Sequence, residues 1–320
     1  MANNTRKIIH SALDQSFNII YNLGTEARWV NRKGPKASIY VSSHDDCRMA
    51  CKMCHLTTQQ LPARVNHVDA DMYYSQVFDV VSEAIRSGKM EGIEKINVNF
   101  MARGDVFANK FFRRDPMKVR KSIDRAIYDA LSGTVGNYPE IKLNVSSIFP
   151  MMVTGMTIDE LVGGYITDET EIPRSTIEVY LSLYTMDEKR RKWLLPSAIS
   201  SREAMNMVAS TSLPCTIHHA YIKDFNDDVS RLVDAIKQYG LVAPRVRHNA
   251  VRYNPNELTK IGLLSSRYDI SEEAPVNVVY DNVNMIGEAL GCTVGKRASK
   301  VIERVGMDVK ASCGMFMKGA

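Results

Sequence analysis

Apolar residues in this chain switch repeatedly between a two-residue and a roughly 3.6-residue period, and that alternation narrows the possible folds more than any other feature. Ile39 and Val41, then Ile96, Val98 and Phe100, then Ile141, Leu143 and Val145, then Ile177, Val179, Leu181 and Leu183 alternate as half-buried strands do. Between them lie helical faces: Tyr73, Val77, Val80, Val81, Ala84 and Ile85 make one, and Val119, Ile123, Ile127 and Leu131 another. Val229, Leu232, Val233 and Ile236 make a third, with Asn226 as its expected N-cap and Gly240 as its stop. Weaker strand patterns fall around 215–222 and 244–251. Strand and helix thus alternate about six times, which calls for parallel strands joined by helical crossovers, in an open sheet or a partial barrel. Chemistry in such folds gathers at the C-terminal ends of the strands.

A loop at one such strand end carries Cys47, Cys51 and Cys54, spaced C-x3-C-x2-C. The chain has six cysteines, and the other three, Cys215, Cys292 and Cys313, are scattered. Three thiols packed so closely point to metal. Three thiolates can hold three irons of a 4Fe-4S cluster and leave the fourth iron open. S-adenosylmethionine (SAM) can chelate that iron through its amino and carboxylate groups, and a reduced cluster can cleave it to a 5′-deoxyadenosyl radical. The other reading of the same residues is a structural zinc site with His44 or His55 as fourth ligand. Zinc more often takes paired C-x2-C knuckles, and no second pair is present.

The 320 residues, 45% apolar and 24% charged, suit a globular protein able to bury a full core. No apolar run is long enough for a membrane span, and the first twenty residues carry no export signal, so a cytoplasmic protein is expected. The formal net charge of +5 permits an acidic partner such as RNA without requiring one.

From about residue 26 to 314 the sequence resembles the RlmN/Cfr family, radical SAM enzymes that methylate adenine C2 or C8 in RNA. Val41, Ser42, Ser43 and Cys47 match the family's V-S-S-Q/H-x-x-C, and Thr57, Thr58, Gln59 and Gln60 its T-x-x-Q-Q-like run. Gly104 and Asp105 stand at the glycine–acid motif, with Asp in place of Glu, and Met53 replaces the usual aromatic before the last cysteine. Ser146 and Ser182 match serine strand ends. Asn249, Asn254 and Pro255 match N-x-x-x-W-N-P, and Gly306, Asp308, Ala311, Ser312, Cys313 and Gly314 match G-x-D-x-x-A-A/S-C-G.

The resemblance implies a partial (β/α)6 TIM-type barrel of the radical SAM type over 36–265. A short N-terminal segment, 1–35, would stand for a reduced accessory domain holding a single helix near 7–23, and a C-terminal segment, 266–320, would carry Cys313. It implies a 4Fe-4S cluster on Cys47, Cys51 and Cys54, and SAM held by Gly104, Asp105, Ser146, Ser182 and Asn249. It makes Cys313 the methyl carrier and places Glu26 near the family's proton-removing glutamate. The cysteine that releases product in relatives falls at Tyr40 here. A phenol forms no disulfide, so Cys215 or Cys292 substitutes, or the reaction ends differently, or the substrate is not RNA adenine.

The partners implied are RNA (rRNA or tRNA) and a reductant such as flavodoxin or ferredoxin, with no membrane and a monomeric chain. Basic residues at 110–125, 189–192 and 296–304 are the candidate RNA contacts, unless they are only solvated helix faces. Two rivals stand beside this expectation: a radical SAM enzyme for a non-RNA substrate, and a non-catalytic zinc-bound RNA-binding protein.

Overall fold

A computed structural model describes residues 6–32, 34–58, 62–133, 138–163, 174–256, 267–292, 298–304 and 307–309. Among them, ten strands form one sheet in which spatial order follows chain order. Strands β4 (Lys36–Tyr40), β5 (Lys95–Asn99), β6 (Glu140–Ser147), β7 (Thr176–Ser182), β8 (Cys215–Ala220) and β9 (Val246–Val251) are parallel neighbours. They form a partial (β/α)6 barrel. The crossovers carry α1 (Ala70–Arg86), α2 (Lys110–Arg114), α3 (Pro116–Leu131), α4 (Ile158–Val162), α5 (Glu188–Leu194), α6 (Ser201–Ser210) and α7 (Ser230–Gln238). After α8 (Val276–Ala289), β10 (Ser299–Ile302) adds a further parallel strand beside β9.

The helices start where side chains satisfy their first amides. Asp69 accepts from Met72 N at 2.9 Å to open α1, and Asp115 accepts from Lys118 N at 2.9 Å to open α3, which has Pro116 in its first turn. The apolar stripes of both helices are buried as their spacing requires, with Val77, Val80 and Val81 of α1 and Ile123 and Ile127 of α3 fully covered. Among the described residues no helix is long and apolar enough to cross a membrane.

Two expectations are corrected. The N-terminal segment holds no helix over 7–23. It forms β1 (Arg6–His10) and β2 (Phe17–Tyr21), an antiparallel hairpin that continues through β3 (Glu26–Arg32) onto β4. Ser11 sets the turn: its Oγ accepts from Leu13 N and Asp14 N at 3.0 Å each, and its N donates to Ser16 O at 2.9 Å. Secondly, Asn226 does not cap α7, which begins at Ser230. It is a buried loop staple whose Oδ1 accepts from Ile222 N (2.6 Å) and whose Nδ2 donates to Tyr184 O and Ala220 O (2.8 and 3.0 Å). Gly240, at φ +60°, does follow the helix end.

The N-terminal strands belong to the core. Trp29 is fully buried, its ring stacked on Phe17 with centroids 6.4 Å apart. Replacing Trp29 by Ala is expected to cost about 3–5 kcal/mol of unfolding free energy, lowering the urea midpoint of the whole chain in a single transition. An unchanged midpoint would mean that the hairpin is an appendage.

Candidate active site

Beyond Tyr40 the chain leaves the sheet as a loop fastened at many points. Val41 N donates to Asn99 O (2.9 Å) and Ser43 N to Arg103 O (2.7 Å), tying it to the loop after β5. Gln76 of α1 clamps the backbone of Ser42 from both sides, accepting from its N at 2.8 Å and donating to its O at 3.1 Å. Asn109 Nδ2 donates to Ser43 O (2.6 Å) and Val68 O (2.8 Å). The cysteine loop follows, with Ala50 in the left-handed region at φ 57°. Thr57 Oγ1 donates to Cys51 O (2.6 Å), Lys52 N to Leu194 O (2.9 Å), and Asn256 Nδ2 to Lys52 O and Cys54 O (3.3 and 3.2 Å).

This anchoring sets Cys47, Cys51 and Cys54 along one wall of a cleft of about 950 Å³ at the C-terminal ends of the parallel strands. Gly104 and Asp105 line it after β5, Ser146 and Ser147 at the end of β6, Ser182 and Tyr184 at β7, His218 and Ala220 on β8, and Arg252 and Asn254 after β9. Burial and the neighbouring Cys54 thiol push the Cys47 thiol up to about 12, and burial with Cys47 and Cys54 raises Cys51 further. Burial thus favours the protonated form of Cys47 and Cys51, and metal binding there would release protons.

The donor set fits an iron–sulfur cubane. Among the described residues no three His, Cys, Asp or Glu side chains stand close enough to hold a metal ion as they lie. Three thiols spaced along a cleft wall suit a cluster whose three irons each take one. Of the two histidines considered for zinc, His44 faces His67, with Nε2 3.1 Å from its Nδ1.

Gly104 is required for two reasons. Its φ of +85° disfavours a side chain, and a Cβ there would stand 2.2 Å from His44 Nδ1. Asp105 lines the cleft, but both carboxylate oxygens are engaged: Phe107 N, Ile148 N and Ser147 Oγ donate to them at 2.8–3.0 Å. Burial raises its pKa to about 6 against these bonds. Ser146 and Ser182 line the cleft. Asn249 is buried on β9 opposite His218 and is not among the lining residues.

Glu26 and Tyr40 lie on the neighbouring side of the sheet. Glu26 is fully buried; burial alone would raise its pKa, but Arg28 (3.1 Å), Arg103 (2.9 Å) and Asn18 (2.8 Å) hold it below the ordinary carboxylate range. Tyr40 Oη accepts from Arg32 Nη2 at 2.6 Å, and its ring packs with Val30, Ile9 and Val309. Cys313 lies outside the described residues, as do Gln59, Gln60 and the boundary drawn at 265. The segment leading to Cys313 does reach this side: Asn18 Nδ2 donates to Val309 O (3.4 Å), and Asp308 accepts from Ser11 Oγ and Ala12 N (2.8 Å each). Cys215 is buried at the opposite end of β8 with its thiol pushed up to about 12, Cys292 is exposed after α8, and neither lines the cleft.

His218 escaped the sequence reading. It is buried in the cleft wall, neither ring nitrogen has a partner, and burial lowers its pKa to about 4. The signal was the His218–His219 pair within a strand pattern, where alternation sends one ring into the barrel.

No family model matches the sequence, and no curated protein matches it. Solved structures do. A radical SAM methyltransferase from Sphaerobacter thermophilus is 14% identical with TM-score 0.65, the match covering 98% of this chain and 80% of that one. TYW1 with a lysine–pyruvate adduct bound (12% identical, TM-score 0.45, 79% and 73% covered) and methylornithine synthase, PylB (8%, TM-score 0.44, 78% and 61%), also match. The first of these structures shows the fold: the chain has the partial barrel of the radical SAM enzymes.

Asp105 provides a test of the site's electrostatics. Its folded pKa of about 6 exceeds the roughly 3.9 of an unfolded Asp, so its contribution to stability is full below the unfolded value and is lost as pH rises through about 6. Relative to Asp105→Asn, the metal-free wild type should lose roughly 2–3 kcal/mol between pH 4 and 7 in urea unfolding. Parallel curves would show that Asp105 is an ordinary carboxylate.

Proposed function

We propose that this chain is a radical SAM methyltransferase that modifies an adenine carbon, C2 or C8, in RNA, with Cys313 as methyl carrier. The observation that carries the radical SAM part is the convergence of Cys47, Cys51 and Cys54 on one cleft with Gly104, Ser146 and Ser182, all at C-terminal strand ends. The RNA-adenine part is supported by the ordered motifs from residue 26 to 314, including Cys313 in its glycine-flanked segment.

In this reading Cys47, Cys51 and Cys54 hold three irons of a 4Fe-4S cluster, and the cluster and SAM together supply a 5′-deoxyadenosyl radical. Gly104 leaves its backbone open to the SAM amino and carboxylate groups, while Ser146 and Ser182 offer neutral donors and acceptors. Asp105 acts chiefly through Ser147 and the Ile148 amide, fixing the rim between β5 and β6. Leu56, Phe100, Ile148 and Val251 give the cleft apolar walls that exclude water.

Cys313 receives the methyl group as a thioether and presents it to the base. The arm carrying it is pinned at Asp308 and Val309, four residues before the thiol, a reach of roughly 13 Å when extended. Val309 packs beside Tyr40, the position where relatives keep the releasing cysteine. With Tyr40 there, and with Cys215 and Cys292 away from the cleft, no described thiol stands where relatives keep the one that releases product. Glu26, paired with two guanidiniums, is a weaker base than a free carboxylate and anchors Arg103 next to Gly104.

Lys118, Lys121 and Arg125 on α3 are the proposed phosphate contacts. In the second basic run, Arg191 is buried, Arg190 lies against the Phe225 and Tyr268 rings, and Lys192 Nζ donates to Pro196 O at 2.9 Å, so Lys189 is the candidate for RNA there.

Anaerobic turnover of the loaded enzyme with RNA, SAM bearing a labelled methyl group, and reductant tests the reading. Mass spectrometry should find the label on Cys313, and Cys313→Ala should abolish methylated adenine. Tyr40→Cys should raise free methylated RNA several-fold. Production of 5′-deoxyadenosine with no label at Cys313 would contradict the methyl-carrier role.

A further inference from the structure

Arg191 on α5 is 1% exposed, and its guanidinium ends on backbone carbonyls. Nε donates to Ile199 O (2.9 Å), Nη2 to Ile148 O (2.9 Å), and Nη1 to Leu183 O (2.5 Å) and Ser182 O (3.4 Å). The side chain thus welds the end of β7 to the segment that follows β6. Carbonyl oxygens satisfy its N–H groups but supply no counter-charge. Among the described residues no carboxylate lies within ion-pair distance of it. Glu188, one turn earlier and the acid whose field it feels, accepts instead from Ser201 Oγ (2.7 Å) and from the amides of Ser201 and Arg202 (3.1 and 3.2 Å). Removing a guanidinium from water costs several kcal/mol, and Glu188, which acts on it without a contact, offsets only part of that, so a second anion nearby is favourable.

The candidate for that anion is in place. Lys52 N donates to Leu194 O at 2.9 Å, fastening the cysteine loop to the last turn of α5, one turn beyond Arg191. Cys51 packs against the buried cluster that contains Leu194 and Leu195. Arg191 reaches the same wall: the Ile148 and Ser182 carbonyls that accept from it belong to residues that line the cleft together with Cys51. Thiolates holding iron gather negative charge on this wall, and reduction adds one more.

We propose that Arg191 is the built-in counter-charge of the cluster site, a positioning residue whose buried cation offsets the charge on Cys51 and its cluster and so makes one-electron reduction easier. The proposal rests on the iron–sulfur reading given above. It goes beyond a packing role, because the carbonyl contacts alone would be served by any group with donors.

The test compares wild type, Arg191→Met, Arg191→Gln and Arg191→Lys, each reconstituted anaerobically, assayed for iron, and titrated with reductant while the cluster is followed by absorbance and paramagnetic resonance. At the potential where half the wild-type cluster is reduced, Met and Gln should lower the reduced-to-oxidised ratio about tenfold, equivalent to 59 mV for a one-electron couple. Lys, which keeps the charge but not the fork, should stay within about twofold of wild type. Thermal unfolding should show all three variants weakened, since each loses carbonyl contacts, and Gln covers the case in which Met does not fold. Equal potentials for wild type, Gln and Lys, or equal shifts for Gln and Lys, would reduce Arg191 to a structural tie. If wild-type protein takes up no cluster while remaining folded, the iron–sulfur reading falls and this inference falls with it.

Discussion

Six neighbouring strands that all run the same way deliver their last residues to a single rim, and everything proposed for this protein depends on that geometry. Parallel register from Lys36–Tyr40 through Val246–Val251 brings residues more than two hundred positions apart onto one cleft. The antiparallel strands β1–β3 extend the sheet on the β4 side, so the cysteine loop leaves from a strand paired on both edges. Side-chain ties then hold the loop, with Gln76, Asn109, Thr57 and Asn256 each using an amide or hydroxyl on its backbone. A loop fixed at so many points offers its thiols in a set arrangement.

That arrangement is costly to fold. Cys47 and Cys51 are desolvated, Arg191 lacks a carboxylate partner, Asp105 is buried, and His218 has no hydrogen-bond partner at either nitrogen. Ala50, Phe149 and Tyr184 hold positive φ at the same rim. Each is unfavourable for folding alone, and their concentration in one place is what a site shaped for a ligand produces. A cluster would accept the thiolates and complement the guanidinium, and a nucleoside-bearing ligand would give His218 its missing partner.

Much of this was legible in the sequence. Alternating apolar residues marked β5, β6 and β7, helical faces marked α1 and α3, and cysteine spacing marked the cleft wall. The errors have physical causes. The helix expected near 7–23 was implied by the resemblance, and the turn fixed by Ser11 makes that segment two strands instead. Asn226 has the composition of a cap but is consumed by loop carbonyls. Arg191 was hidden inside the run 189–192, since a charge run does not announce which member points inward. His218 was readable from strand alternation, whereas Asn256 owes its role to a contact with the distant cysteine loop, which no local pattern records.

The central claim is that Cys47, Cys51 and Cys54 hold a redox-active cubane with one open iron. Paramagnetic resonance of anaerobically reconstituted, reduced protein addresses it most directly. The account predicts about four irons per chain, a low-temperature signal on reduction, a change in that signal when SAM is added, and loss of all three in Cys51→Ala. A folded, colourless protein with stoichiometric zinc and no signal on reduction would contradict it.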